Sequence, residues 1–418
     1  MSPPPKRRKR LARKRSALSS SSSDEGVTPF VQLARSFSTA RLNLLGKLNP
    51  IHPLVGPWGT LCKIVHYYYK VQRLLGCPGK WTIQVVRLIL FSILMLPGFL
   101  PPFFSYLCSR QIRKNVLYGR GWRHQLDIYM PFTETGEGDA PERKKAPVVI
   151  FLSGGAWMIG YKAWGWLMGQ MFQQQGVLFI APDYRNFPEV NVDSMVEDVI
   201  RAVGWVFQNI EALGGDPSDV TLMGQSAGAH LTALAILEQA ARECADAKAP
   251  PRSGLTWSVR SLRRWVGISG PYDIMRLVPA MRNRGVPGRV LRRLMSNDLH
   301  MNSPVCRVRD LVLSRQDEVL NSLPAVHLFH GLADETCPWH QSESFAQCLR
   351  AAGASVHTKF YPNKSHTDPI LEDPVSGAED ELMNDLLQLV RPGYRNTEGT
   401  RSLQPNFLLR CARVANPF

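Results

Sequence analysis

The alternation of apolar and polar positions divides the chain into four stretches. From about residue 114 onward, apolar, β-branched runs of strand length recur: LDIYMP, PVVIFLSGG, VLFIAPDY, VTLMGQS, RWVGISGPYD, AVHLFHG and VHTKFYP. Between them lie segments with helical spacing, near 164–175, 193–209, 227–243, 341–352 and 376–390. Strands that are apolar throughout, separated by helices, predict an α/β architecture: a mostly parallel central sheet flanked by helices. This unit spans 111–392. Within it residues 275–320, rich in Arg and Leu and without a strand pattern, predict either a helical lid insertion over the strand ends or a solvated, charged excursion.

Upstream the pattern changes. Leu88 to Leu107, LILFSILMLPGFLPPFFSYL, is twenty residues without a charged side chain, and as a helix it would measure about 30 Å, the thickness of a bilayer's hydrocarbon core. The stretch 46–110 is therefore expected to be helical with an N-terminal hydrophobic membrane segment at 88–107; the competing reading is a buried apolar element. Pro97, Pro101 and Pro102 would break or kink a soluble helix, and suit a kinked span or a re-entrant hairpin whose freed carbonyls are covered by protein. Basic residues balance across the run, Lys63, Lys70, Arg73, Lys80 and Arg87 before it against Arg110, Arg113, Lys114, Arg120 and Arg123 after it, so it has no readable orientation.

Residues 1–45 open with Pro, basic and Ser tracts that lack apolar periodicity and the apolar core of a signal peptide, which predicts a disordered tail. A nuclear signal, a polybasic contact with anionic lipid and a plain solvated tail all remain open for it. Residues 393–418 are assigned to a C-terminal tail.

The formal charge of +16 changes this picture little, because residues 1–15 carry eight Lys and Arg with no acid, and 391–418 carry five Arg against Glu398. Only +4 is left for everything between, so no nucleic-acid partner is expected. The cysteines (Cys62, Cys77, Cys108, Cys244, Cys306, Cys337, Cys348, Cys411) form no CxxC pair and no zinc-ligand spacing, and read as ordinary thiols. With no dinucleotide or Walker loop either, neither cofactor nor metal is expected.

The candidate chemistry begins at Gly224-Gln225-Ser226-Ala227-Gly228. This G-x-S-x-G string, between the strand VTLM and the helical AGAHLTALAILEQAA, fits a nucleophile elbow, where Ser226 occupies a strained turn and its neighbours must lack side chains. An oxyanion needs backbone donors after an earlier strand. Gly154-Gly155-Ala156-Trp157 follows PVVIFL, so the N–H groups of Gly155 and Ala156, with that of Ala227, are assigned to it; the bland alternative is a tight turn. The order Ser, acid, His then predicts Asp334 at the tip of the loop after HLFHG, and His366 after the next strand as general base. Glu335 is the fallback acid. His230 is expected to pack under the elbow, and Asp183 and Asp273 to fix loops; Asp368 and Asp373 come in the wrong order.

Taken together, GGAWMIGYKAWGWLMGQ, DYRNFPEVNVDSMVEDV, GGDPSDVTLMGQSAGAH, HGLADETCP and NKSHTD resemble the isoprenylcysteine alpha-carbonyl methylesterases over about residues 112–390. The resemblance implies a membrane-associated α/β-hydrolase that removes the methyl ester from C-terminal prenylcysteine, in endoplasmic reticulum or Golgi membranes. Its substrate partners would be prenylated protein C-termini or prenylcysteine methyl esters, met in membrane lipid. It implies catalytic Ser226, Asp334 and His366, with substrate contacts from Gly154, Gly155, Ala156, Gln225 and Ala227. A general carboxylesterase, lipase or formamidase would use the same triad. A non-catalytic binding protein on this scaffold is disfavoured, since such proteins usually lack a triad member.

Overall fold

Continuous apolar strands bury both faces of a sheet only if helices cover both, and that is how the chain is built. The computed structural model describes residues 66, 69–76, 79–131, 145–246, 257–377, 380–394 and 402–417; the tail expected over 1–45 lies outside them. Among the described residues, the strands β1 (Ile112–Leu117), β2 (Gln125–Tyr129), β3 (Ala146–Leu152), β4 (Leu178–Pro182), β5 (Gly215–Gln225), β6 (Arg264–Ile268), β7 (Ala325–Gly331) and β8 (Val356–Tyr361) form one sheet. Their order is β1-β2-β4-β3-β5-β6-β7-β8. β2 is antiparallel to both its neighbours and every other pairing is parallel.

Helices among the described residues include α1 (Lys80–Cys108), α2 (Trp166–Gln174), α3 (Val192–Asn209), α4 (Ala227–Asp246), α5 (Ile274–Asn283), α6 (Gly288–Leu294), α7 (Pro304–Leu313), α8 (Asp317–Asn321), α9 (His340–Ala351), α10 (Glu381–Val390) and α11 (Asn406–Ala415). Alternate strand residues Val149, Phe151, Phe179 and Val266 join one core cluster with Phe91 of α1, Phe172 of α2, Leu386 of α10 and Leu409 of α11. Trp265, next to Val266 and so facing the other way, meets Phe345 of α9 at 6.1 Å between ring centroids and donates its indole N–H to Thr232 of α4 at 3.0 Å.

The structure differs from the sequence expectations at four places. β1 is not among the expected strands, because Asn115 takes φ 60° and shifts the register between Arg113 and Val116, which breaks the alternation that marks a strand. The helix expected over 376–390 begins only at Glu381, where Asp380 caps it by accepting from the Met383 N–H at 3.2 Å. Residues 275–320 are helical but split: Arg284, after α5, neighbours Asp334 at the strand ends, while α7 and α8 lie against α4, with Arg307 paired to Glu238 at 3.1 Å.

The fourth difference is the C-terminal tail expected over 393–418, of which 406–415 is α11, packed along α1. Its approach also resolves the prolines of α1. Gln404 inserts its amide where Pro97 opens the helix, accepting from the Gly98 N–H at 2.6 Å and donating to the Leu94 carbonyl at 2.7 Å. The side chain thus meets both groups that a regular helix would join to each other.

Candidate active site

Ser226 sits where β5 turns into α4, half-buried, with φ 54°. A non-glycine residue in this left-handed region is strained, and is held only by its surroundings. The flanking glycines allow it: a Cβ on Gly228 would overlap the Leu152 carbonyl of β3, and one on Gly224 would overlap the backbone at Gly228. The Ser226 N–H is tied to the Ile268 carbonyl at 2.8 Å.

Ser226 Oγ lies 2.8 Å from His366 Nε2, and His366 Nδ1 lies 2.7 Å from Asp334 Oδ2. Asp334 follows β7 and His366 follows β8, so both lie at the same end of the parallel strands as Ser226. The other Asp334 oxygen accepts the N–H groups of Thr336 and Cys337, each at 2.8 Å. Burial works to raise the Asp334 carboxyl, but the His366 and His330 rings beside it outweigh that and hold it well below the usual carboxylate range. Glu335, the fallback acid, is exposed.

The loop Gly154-Gly155-Ala156-Trp157 abuts this serine, since a Cβ on Gly154 would fall 2.8 Å from the Ser226 Cβ. Gly155, Ala156 and Trp157 have φ of 122°, 48° and 60°. They fold the loop back until the Met158 and Ile159 N–H groups close on the Gly155 carbonyl at 3.0 and 2.8 Å. The Gln225 side chain donates to the His366 carbonyl at 3.2 Å. The structure therefore brings Gly154 and Gln225 to Ser226 and His366, with Gly155, Ala156 and Ala227 adjacent in the chain.

Supporting side chains explain the residues set aside from chemistry. Asp183 grips Arg123 through both oxygens, at 2.7 and 3.1 Å, and Arg123 in turn holds the Gly160 carbonyl in the loop after β3. Asp273 caps α5, accepting from the Arg276 N–H at 3.0 Å. His230 accepts the Trp157 indole N–H at Nδ1, 3.1 Å, and its Nε2 reaches the Asn302 carbonyl at 2.7 Å. Burial pushes this ring down to about 4, which keeps the tautomer that both contacts require. Its sequence context suggests only a packing role.

His330 is a second brace that the sequence does not announce. Its Nε2 faces Asp334 Oδ2 at 3.1 Å and the Cys337 carbonyl at 2.8 Å, while Nδ1 meets Ser342 Oγ at 2.7 Å. The only signal in the sequence is its spacing, four residues before Asp334. Arg284, just after α5, is a further neighbour: burial lowers its guanidinium, opposed by the charges of Asp334 and Glu335.

The BD-FAE family profile matches residues 126–349. The Isoprenylcysteine alpha-carbonyl methylesterase of Arabidopsis thaliana is 35% identical over 361 residues, covering 84% of this chain and 80% of that protein. A probable isoprenylcysteine alpha-carbonyl methylesterase of Oryza sativa subsp. japonica is 36% identical, covering 80% and 77%. The Kynurenine formamidase of Salmo salar is 27% identical, covering 63% and 77%. Among solved structures, a hyperthermophilic esterase from the archaeon Pyrobaculum calidifontis superposes with a TM-score of 0.52 at 17% identity, covering 74% of this chain and 93% of that one. The fold is thus that of α/β-hydrolase esterases.

Proposed function

The chain belongs to the isoprenylcysteine alpha-carbonyl methylesterases, and from that premise we propose that it is a serine hydrolase that demethylates C-terminal prenylcysteine methyl esters. Ser226 attacks the ester carbonyl while His366 Nε2 takes its proton, and Asp334 holds the ring and stabilises the imidazolium. The N–H groups of Gly155, Ala156 and Ala227 receive the developing oxyanion. Collapse expels methanol with the proton from His366. Water, deprotonated by His366, then cleaves the acyl-enzyme and leaves a free prenylcysteine carboxylate. One observation carries this reading: the hydrogen-bond series Ser226–His366–Asp334, at 2.8 and 2.7 Å.

A prenylated ester partitions into lipid, and extracting it costs about 0.8 kcal/mol per CH₂. α1 is long and apolar enough to engage a membrane. That supports an enzyme that meets its substrate at the bilayer; the endoplasmic reticulum or Golgi as its membrane is what the family resemblance alone implies. The likeness to a formamidase keeps a general esterase or formamidase as the second reading.

Labelling of membrane and soluble fractions with a fluorophosphonate probe separates the two. The wild type is expected to label in membranes, with farnesylcysteine methyl ester blocking the label better than short acyl esters or formamides; the Ser226→Ala variant is expected to remain unlabelled. Equal protection by short acyl esters would overturn the substrate, and unimpaired hydrolysis by Ser226→Ala would overturn the nucleophile.

A further inference from the structure

One side of α1 belongs to the catalytic domain and the other is left uncovered by the described residues. Phe91, Met95, Gly98 and Tyr106 are buried, the first two and Tyr106 in the core cluster that includes Val375, Leu409 and Ala412. On the opposite side Ile83, Val86, Ile93, Leu96 and Phe104 are all at least half exposed. α11, packed beside α1, repeats the division: Leu409, Ala412 and Ala415 are buried, while Phe407 and Val414 are 67% and 81% exposed.

Polar ties run along α1 from its second turn to its last. Arg87 donates to the Asn416 carbonyl at 2.6 Å, Gln404 bridges Leu94 and Gly98, and Gln170 donates to the Pro102 carbonyl at 3.0 Å. The Tyr106 hydroxyl donates to Asp127 at 2.7 Å, and Asp127 is itself ion-paired with the buried Lys162 at 2.5 Å. A helix spanning a bilayer carries whatever is packed along it into about 30 Å of hydrocarbon. Here that would drag an ion pair and two glutamines into hydrocarbon, or tear them away and leave α1 with unmet backbone groups at its kink, each costly in lipid.

We propose that α1 and α11 lie side by side in the plane of one leaflet, exposed faces down, as a docking surface for a bilayer rich in anionic headgroups. Charge favours that occupant. Neither helix contains an acidic residue, while Lys80 and Arg87 stand in the first turns of α1, Arg110, Arg113 and Lys114 just past its end, and Arg410 and Arg413 on α11. The arrangement also serves the active site. Gly285, beside Arg284, packs against the backbone of Lys80 and Trp81, so the start of α1 reaches the neighbourhood of Asp334 and a lipidic ester can enter sideways from the leaflet. The inference rests on the membrane reading given above and adds its topology.

Two measurements on the full chain test it. In flotation with vesicles of phosphatidylcholine alone or mixed with phosphatidylserine, the wild type is expected to float best with the anionic mixture. The Leu96→Glu/Phe407→Glu variant is expected to lose at least tenfold in partitioning while still hydrolysing soluble p-nitrophenyl butyrate. In sealed microsomes, tags placed before Met1 and after Phe418 are expected to be accessible from the same side. A wild type that binds no vesicles overturns the membrane reading and this inference with it. Tags on opposite sides, or undiminished flotation of the double variant, overturn the in-plane arrangement alone.

Discussion

Asp334→Asn isolates what the acid does, because the surrounding donors dictate how the amide must sit. Oδ1 accepts two backbone N–H groups, from Thr336 and Cys337, while Oδ2 faces the nitrogens of His366 and His330. Turning an NH₂ toward the backbone pair would leave both donors unmet, at about 1–3 kcal/mol for the buried Cys337 N–H alone, so the amide oxygen takes the Oδ1 place. The NH₂ then donates to His366 Nδ1, and the ring proton moves to Nε2, 2.8 Å from Ser226 Oγ. In that tautomer the imidazole offers the serine a proton and cannot take one. His330, displaced by the same NH₂, keeps its bond to the Cys337 carbonyl, so the fold should survive. We expect kcat on a short p-nitrophenyl ester to fall on the order of 10⁴-fold, ~5.5 kcal/mol in barrier, with KM nearly unchanged and Tm close to that of the wild type. Glu335→Gln, at an exposed position, should retain kcat within about twofold, as surface changes away from special contacts usually do. Retention of more than a tenth of kcat by Asp334→Asn, or an equal loss in Glu335→Gln, would refute the assignment.

Glu372 is buried, and burial, with the charges of Asp368 and Asp373 adding to it, pushes its carboxyl up to about 8 from an ordinary 4.5. Between those values the native state keeps a proton that the unfolded chain has released, so stability should decline as pH rises through the window; thermal unfolding of Glu372→Gln should show a flatter decline and a higher Tm than wild type at pH 9. Gln404→Leu removes both bonds at the α1 kink and should cost about 2–4 kcal/mol, and an unchanged unfolding midpoint would show that the insertion contributes nothing. His230→Phe keeps ring bulk but removes the acceptor of the Trp157 indole and the contact to Asn302; kcat should fall about tenfold or more while KM moves little, and unaltered kcat would mean that the oxyanion loop holds without it.

Features written in contiguous residues are legible in the sequence alone. The strand AVHLFHG has the same limits as β7, because a short run rich in apolar residues and closed by a glycine marks both its ends. Gly224 and Gly228 report close backbone approach, which has a fixed spacing. Ser226, Asp334 and His366 follow from chain order, and they stand within hydrogen-bond reach of one another. What escapes depends on partners distant in sequence. His330 carries no mark distinguishing a strand residue from a brace for Asp334, and the choice of Asp127 by Lys162 or of Asp183 by Arg123 exists only once β2 and β4 have paired. α11 is hidden for a related reason: NFLLRCARVA buries only Leu409, Ala412 and Ala415, a stripe too narrow and too small-sided to announce a helix without the surface it fits.

That narrow stripe makes the polar latches around α11 decisive for where it docks. Leucine and alanine contacts tolerate sliding by a turn, whereas hydrogen bonds to particular carbonyls do not, and a buried bond missed is penalised more than a methyl misplaced. Arg87 holds the carbonyls of Val414 and Asn416, Gln404 enters the α1 kink, and Arg284 holds the Pro417 carbonyl at 2.5 Å. The Asn416 amide then donates to Thr367 at 2.8 Å and to Glu372 at 2.6 Å. Thr367 adjoins His366, so the segment that secures the apolar helix also closes the polar cluster behind the histidine. Lifting α11 away would strip Glu372 of a donor in a site where its carboxyl is already hard to ionise, and would free the turn that aims His366 at Ser226. The apolar helix pair is therefore part of the support of the active site, tied to the turn behind His366 by polar contacts as well as by apolar packing.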